Sequence, residues 1–154
     1  HRKEVGRCLN NIGVYYEKVG DYSNALRSFT TALPILRSEN ELDTEAKCLN
    51  NIGTVYKNMG EFDRALRAIY GVLEIDEKSG DHLSALEHRA NLGAIYLRRG
   101  WLKEDVRDLQ RALKELSVCL GELRLNPNPR LEFAVVTNLG FAYYLLGVPA
   151  RPRG

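Results

Sequence analysis

Four asparagines recur along the chain, and their side chains are the ones best suited to hold another polypeptide. Asn11, Asn51 and Asn91 are spaced 40 positions apart, and Asn138 follows after 47 more. A side-chain amide both donates and accepts hydrogen bonds, so a series of amides can pair with the backbone of an extended peptide. Each bond contributes only about 1 kcal/mol net, so sequence preference must come from neighbouring side chains.

Those neighbours lie on the same helical face as each asparagine, three, four or seven positions away. Basic residues among them favour acidic side chains in a ligand, and apolar residues beside Asn138 favour an apolar anchor. A second interpretation stays open, in which the asparagines bond to adjacent helices and hold the repeats together. The predicted peptide-binding set is Asn11, Asn51, Asn58, Asn91, Asn138, Arg7, Lys18, Lys47 and Arg98.

The chain carries no spacing of residues that is typical of catalysis or of metal binding. It contains no GxSxG, P-loop or HExxH motif, and its three histidines lack an HxxxH spacing or a cysteine partner. Cys8 and Cys48 are 40 positions apart and are interpreted as small, reduced packing residues inside the fold, with a disulfide or metal pair as the alternative. The sequence therefore predicts no enzyme, cofactor or metal.

The asparagines belong to a repeated sequence motif, called a phrase below, whose period sets their spacing. Residues 8–13 and 48–53 both read CLNNIG, and residues 91–93 and 138–140 both read NLG. A fixed period of this size indicates a solenoid, in which stacked units bury one another's apolar faces. Each phrase is followed by a tyrosine and then a glycine: Tyr16 and Gly20, Tyr56 and Gly60, Tyr96 and Gly100, Tyr143 and Gly147.

Apolar residues three or four positions apart predict helices throughout, and no strand pattern appears. Seven helices are expected, with boundaries near Gly20, Asp43, Gly60, Asp81 and Gly100 and at the loop 126–129, because glycine ends helices and aspartate begins them. The seven residues added between the third and fourth phrases predict a longer second helix in the third unit, ending near Leu123.

These units resemble the tetratricopeptide repeat, whose first helix carries a bulky residue, Leu-Gly, Tyr and Gly, and whose second carries Ala, Phe and Ala. The third unit departs from the pattern at Asp105, where a small alanine is expected, which predicts weaker packing or a register shift by one. The matching residues are Leu9, Ile12, Gly13, Tyr16, Gly20, Ala25, Phe29 and Ala32, then Leu49, Ile52, Gly53, Tyr56, Gly60, Ala65, Ile69 and Val72, then Leu92, Gly93, Tyr96, Gly100 and Ala112.

The resemblance implies an all-α, right-handed superhelical solenoid of antiparallel helix pairs, with three full repeats and one extra helix. The expected units are about 3–40, 43–80, 81–125 and 130–147, followed by a truncated tail, 148–154, that leads into a further repeat. The period of 40 exceeds the family's usual period of about 34 and is similar to the long repeats of polarity and G-protein-regulating scaffolds, kinesin light chains and bacterial peptide-sensing regulators.

In this family the repeated asparagines line a concave groove, which implies a non-catalytic module that binds an extended or helical peptide segment of a partner, acidic or amphipathic. Glu87 and Asn91 stand where the chaperone-tail clamp of the family has Lys and Arg, which argues against that kind of ligand. The alternatives are a ligand-sensing module of a larger, for example transcriptional, regulator and an architectural self-association module.

Two further features bound the possible partners. A net charge of +2 is too small to indicate nucleic acid or a membrane surface, so nucleic acid is expected only through a domain outside this sequence, and a cytoplasmic location is expected. The last helix is apolar nearly all round, so its exposed side chains are expected to be covered by a second copy of the chain or by further sequence. The first alternative predicts a homodimer through Phe141, Tyr144 and Leu145.

Overall fold

The computed structural model describes residues 1–147, and within that range it contains seven α-helices and no β-strand. The predicted all-α class and the number of helices are confirmed. Residues 148–154, expected to lead into a further repeat, lie outside the described residues. The helices are α1 (Arg2–Lys18), α2 (Tyr22–Ser38), α3 (Leu42–Asn58), α4 (Phe62–Ser79), α5 (His82–Lys103), α6 (Val106–Leu123) and α7 (Pro129–Leu145).

The chain reverses sharply after the first and third helices. Gly20 and Gly60 adopt left-handed backbone there, with φ of +81° and +79°, a conformation that a residue with a Cβ resists. Asp21 then begins α2, since its side chain accepts a hydrogen bond from the N–H of Asn24 at 3.1 Å. The helix ends predicted at these two glycines are confirmed.

The chain divides into two compact units, one of residues 1–82 and one that begins at Leu83. The first unit is built around α2, whose Phe29 and Leu36 are fully buried. Burying each such side chain stabilises the fold by about 1.5–3 kcal/mol. Its core joins Ala25, Phe29, Ala32 and Leu36 of α2 to Cys48, Ile52 and Val55 of α3, and a second cluster joins Ala46 and Leu49 of α3 to Val72 and Ile75 of α4.

Glycines allow the two helices of each pair to approach closely. A Cβ added to Gly13 would lie 2.5 Å from Cε1 of Phe29, and one added to Gly53 would lie 2.9 Å from Cδ1 of Ile69. In the second unit, Gly93 stands in the same relation to Leu116, at 2.7 Å from Cγ. The first three of the four repeated phrases, which end at Gly13, Gly53 and Gly93, are therefore explained by contact with the following helix.

The second unit contains α5, α6 and α7, and its first turn differs from the prediction. The expected end of α5 at Gly100 is wrong, because α5 continues to Lys103 and the chain turns at Glu104, with φ of +52°. Gly100 instead accommodates Leu109, whose Cδ2 would lie 2.9 Å from an added Cβ. Here glycine serves a close contact between helices rather than a helix end.

The extra residues of this unit also lie elsewhere than expected. The prediction of a longer second helix is wrong, because α6 has 18 residues like α4, whereas α5 has 22. The predicted end at Leu123 is correct. Asp105 caps α6 by accepting a hydrogen bond from the N–H of Arg107 at 2.9 Å. Asp105 stands where the family has alanine because the turn between α5 and α6 lies at Glu104 instead of at Gly100. This displacement is larger than the one-residue shift expected.

The interpretation of Cys8 and Cys48 as equivalent buried residues is correct only for Cys48. All three cysteines are free. The thiol of Cys48 donates to the Phe29 carbonyl at 3.4 Å, and burial raises its pKa to about 12. Cys8 is exposed, because within residues 1–147 no helix covers that side of α1 as α2 covers Cys48.

Candidate protein-interaction surface

Two asparagines connect the first helices of the first two pairs. Nδ2 of Asn51 on α3 donates a hydrogen bond to Oδ1 of Asn10 on α1 across 3.3 Å. Asn10 is buried, with 7% of its surface exposed, and Asn51 is half-buried. Asn51 therefore has a role between helices, which is one of the two interpretations that the sequence left open.

The repeat pattern alone gives no role to Asn10, although the sequence shows that Asn10 is itself repeated. The doublet Asn10 and Asn11 returns as Asn50 and Asn51, but the pattern treats Asn11 and Asn51 as equivalent. In the structure Asn11 is exposed, whereas Asn51 reaches the other member of the first doublet. A bond between adjacent repeats cannot be found from the residues of a single repeat.

The amide of Asn51 keeps capacity for a ligand. It has two N–H donors and an oxygen that accepts, and Asn10 uses one of the donors. Thr54 and Asn58 follow Asn51 on α3 at three and seven positions and are also half-buried. Asn51, Thr54 and Asn58 form what we call the polar strip of α3.

The side chain of Arg7 is bound to a carboxylate of its own unit. Its Nε donates to Oε2 of Glu41 at 3.1 Å, and its Nη2 contacts the same oxygen. Nζ of Lys3 lies 3.9 Å from the other oxygen of Glu41, which precedes α3 as its N-cap residue. The cluster fastens α1 to the start of α3, so Arg7 supports the fold rather than offering a free charge.

Lys47 and Lys18 are more accessible cations. Lys47 pairs with Asp43 one turn earlier on α3, at 2.7 Å, and both side chains are mostly exposed. Such helix-surface pairs are worth only about 0.3–0.5 kcal/mol, so a ligand carboxylate can replace Asp43 at little cost. Lys18 is exposed at the end of α1 and forms no ion pair within residues 1–147.

The remaining predicted residues lie in the second unit. Asn91 is half-buried on α5, and Arg98 is exposed seven positions further along the same helix. Asn138 is half-buried on α7. Since Asn11 and Asn51 belong to the first unit, a continuous series of four asparagines stays a prediction.

The sequence of the first four helices matches known family models. Residues 9–43 and residues 46–78 each match a family model of the tetratricopeptide repeat. The chain contains tetratricopeptide repeats. Both matches end before residue 79, so the repeats at 81–125 and 130–147 stay predictions from the sequence pattern.

The fold of this tetratricopeptide repeat chain is similar to that of a solved structure, BtubC (BKLC) from P. vanneervenii, with a TM-score of 0.79 and 20% sequence identity. The likeness covers 96% of this chain and 59% of that one, so this chain spans less than two thirds of BtubC. At this identity the likeness shows a shared fold. No curated protein matches the sequence.

A buried carboxylate on α6 connects that helix to α5. Asp108 is 1% exposed and accepts hydrogen bonds from Nη2 of Arg99 at 2.9 Å and Nη1 of Arg111 at 3.3 Å. Burial alone would raise the pKa of Asp108, but the hydrogen bonds and charges of Arg99 and then Arg111 outweigh it and lower that pKa. Both guanidinium groups also lie over the ring of Tyr96, at 5.5 and 5.6 Å.

The residues predicted to mediate self-association are unequally exposed on α7. Tyr144 is 77% exposed, whereas the Phe141 ring packs edge-on against Trp101 with centroids 5.6 Å apart. Leu145 is half-buried. A homodimer through these residues stays a prediction.

Tetratricopeptide repeats are generally non-catalytic interaction modules. Across residues 1–147, no group of three or more histidine, cysteine or acidic residues is placed to hold a metal ion. None of the helices in the described range combines the length and apolar character needed to cross a membrane.

Proposed function

We propose that this chain is a non-catalytic module that binds an extended, acidic segment of a partner protein along α1 and α3. Tetratricopeptide repeats generally mediate protein–protein interactions. The observation that carries the proposal is the polar strip of α3, where the half-buried Asn51 uses one N–H to bond Asn10 and has a second N–H and an oxygen with which to bond a ligand.

The bond to Asn10 supports a binding role because it fixes the position of the Asn51 amide. A side chain that is already ordered loses less conformational entropy when it binds a ligand, and that loss is about 0.5–1.5 kcal/mol for a free polar side chain. Asn11 is exposed on α1 and supplies a second amide. Two amides can pair with the N–H and C=O groups that every peptide presents, whatever its side chains.

The charges of this unit favour acidic ligands. Lys47 and Lys18 are exposed on α3 and α1, and the weak pair between Lys47 and Asp43 can open in favour of a ligand carboxylate. Arg7 contributes indirectly, by keeping the start of α3 against α1 through Glu41. Since these cations are exposed, binding should weaken as salt is added.

The test is selection of peptides from a random library displayed on phage, followed by titration of the enriched peptides into the purified protein. We expect enrichment of acidic peptides and about tenfold weaker binding to the Lys47→Glu variant, which corresponds to about 1.4 kcal/mol. Lys114→Glu is the matched control, because Lys114 is exposed on α6 in the other unit.

Two results would contradict the proposal. One is the absence of any enriched sequence, and the other is equal binding of the enriched peptides to the Lys47→Glu and Lys114→Glu variants. Asn11→Ala supplies a second check that leaves the charge unchanged, and it should weaken the same peptides without altering their preference for acidic residues.

Self-association is a second candidate function, favoured by the exposure of Tyr144 on α7. Light scattering over a range of protein concentrations tests it. A mass that rises with concentration and falls back to the monomer in the Tyr144→Ser variant would support it, and a monomer at all concentrations would refute it.

A further inference from the structure

The first helix of the second unit is longer than the sequence predicts, and its added turn carries the chain's single tryptophan. α5 continues past Gly100 to Lys103, so Trp101 is helical at a point where the first two helix pairs already have their turns. The ring of Trp101 packs edge-on against that of Phe141 on α7, with the centroids 5.6 Å apart. The longer helix therefore brings two aromatic rings of this unit together.

The ring of Trp101 stays accessible although its neighbours are in place. Trp101 is 52% exposed. The following helix, α6, already lies against α5, where Leu116 packs over Gly93, and α7 already contacts Trp101 through Phe141. The exposure of Trp101 is therefore a property of α5, α6 and α7 as they pack together.

Phe141 occupies a position that a following helix does not cover. It lies three residues after Asn138, next to the fourth copy of the repeated phrase, and is 38% exposed. The residues three positions after the equivalent asparagines stay half-buried although each of their pairs has its second helix; they are Val14, Thr54 and Ala94. A helix packed after α7 would therefore leave the position of Phe141 accessible to a ligand in the same way.

A cation and an amide flank the two rings. Arg98 lies three residues before Trp101 on α5, and residues three apart share a helix face. Asn138 stands in the same relation to Phe141 on α7. Arg98 is exposed and forms no ion pair within residues 1–147, and the half-buried side-chain amide of Asn138 makes no hydrogen bond in that range. Both groups are available to a ligand.

We propose that Arg98, Trp101, Asn138 and Phe141 form a further binding site, for a segment of a partner protein in which a large apolar side chain stands beside a carboxylate. The two rings provide the apolar area that buries the partner's apolar side chain. The guanidinium of Arg98 donates to the carboxylate, and the amide of Asn138 pairs with the partner's backbone. This ligand differs from the one proposed for α1 and α3, which needs acidic side chains alone.

The test begins with peptides selected from a random library displayed on phage. The library is first depleted on the Trp101→Ala variant and then selected on the unmodified protein, so that peptides which bind elsewhere, including along α1 and α3, are removed. Trp101 is half exposed and alanine favours a helix, so α5 should stay folded in the variant. We expect the enriched peptides to share a large apolar residue beside an aspartate or glutamate.

The single tryptophan supplies a local readout of binding. Protein labelled with fluorotryptophan gives one ¹⁹F NMR signal, from Trp101, and the enriched peptides should shift it. Titrations of the same peptides into two pairs of variants then test the other contacts. Phe141→Ala should weaken binding at least about tenfold, whereas Leu102→Ala, which removes an exposed apolar side chain next to Trp101, should not. Arg98→Glu should also weaken binding about tenfold, whereas Lys103→Glu, at an exposed cation of the same helix, should not.

Three results would overturn the proposal. The first is that no sequence is enriched after the depletion. The second is equal binding to the two members of either pair of variants. The third is a ¹⁹F signal that moves with protein concentration when no peptide is present, which would assign the two rings to contact between copies of this chain. None of these results bears on the site proposed along α1 and α3, because peptides that bind there are removed by the depletion.

Discussion

Replacing Gly13 with alanine tests the close contact between α1 and α2. The added Cβ would lie 2.5 Å from Cε1 and 2.6 Å from Cδ1 of Phe29, far inside van der Waals contact. Phe29 is fully buried, so its ring cannot move away without displacing the rest of the core. Overpacking of this kind costs about 1–3 kcal/mol.

Helix propensity acts in the opposite direction. Alanine is favoured over glycine inside a helix by about 0.8–1.0 kcal/mol, so the net loss expected for Gly13→Ala is about 1 kcal/mol. Gly71→Ala is the control in the same unit, because an added Cβ there would lie 3.8 Å from Cδ1 of Leu49, an ordinary contact. That variant should gain about 0.8 kcal/mol from propensity alone.

Urea unfolding followed by circular dichroism measures both free energies, and amide hydrogen exchange in α2 reports on the first unit alone. The two variants should change the stability in opposite directions. A Gly13→Ala variant as stable as Gly71→Ala would show that α2 can move away from α1, and the explanation of the repeated glycines by close helix contact would then be wrong.

Other predictions concern the cysteines, the buried carboxylate and the asparagines. In the native protein at pH 8, a thiol reagent should modify Cys8 quickly and leave Cys48 unmodified, because burial raises the pKa of Cys48 to about 12; equal rates would contradict the structure. Asp108→Ala should cost about 2 kcal/mol in urea unfolding, because it removes the charged hydrogen bonds to Arg99 and Arg111. The pKa of Asp108 is lowered in the folded state, so its carboxylate stabilises the fold at any pH above the pKa of the unfolded chain, about 3.9. That stabilisation is lost as the pH falls through the pKa of the folded protein, so the Asp108→Ala variant and the unmodified protein should become equally stable in acid. Asn51→Ala should cost about 1–2 kcal/mol by leaving a buried amide oxygen on α1 unpaired, whereas Asn11→Ala should cost less than about 0.5 kcal/mol; equal losses would show that both side chains are structural.

The positions of most helices could be predicted because their signals are local. Gly20 and Gly60 end helices as expected, and Leu123 ends α6. Gly100 misled the prediction because glycine serves two purposes, a left-handed turn and a close contact, and only the position of Leu109 distinguishes them.

The properties of the candidate site depended on contacts that a repeat pattern does not contain. The bond from Asn51 to Asn10 joins α3 to α1, and the pair between Arg7 and Glu41 joins α1 to the N-cap residue of α3. Identical residues in equivalent repeat positions also differ in burial when the helices around them differ. Cys8 is exposed, whereas Cys48 is buried. Residue types could be predicted to suit peptide binding, but not which of them were already paired.

The central claim is that a partner segment binds along α1 and the polar strip of α3, and chemical-shift mapping tests it most directly. An acidic peptide enriched in the library selection is titrated into ¹⁵N-labelled protein while the side-chain amide signals of asparagines are followed. The account predicts that the signals of Asn11 and Asn51 shift together with the backbone amides of α1 and α3. Shifts confined to α4 or α6, with both side-chain amides unchanged, would contradict it.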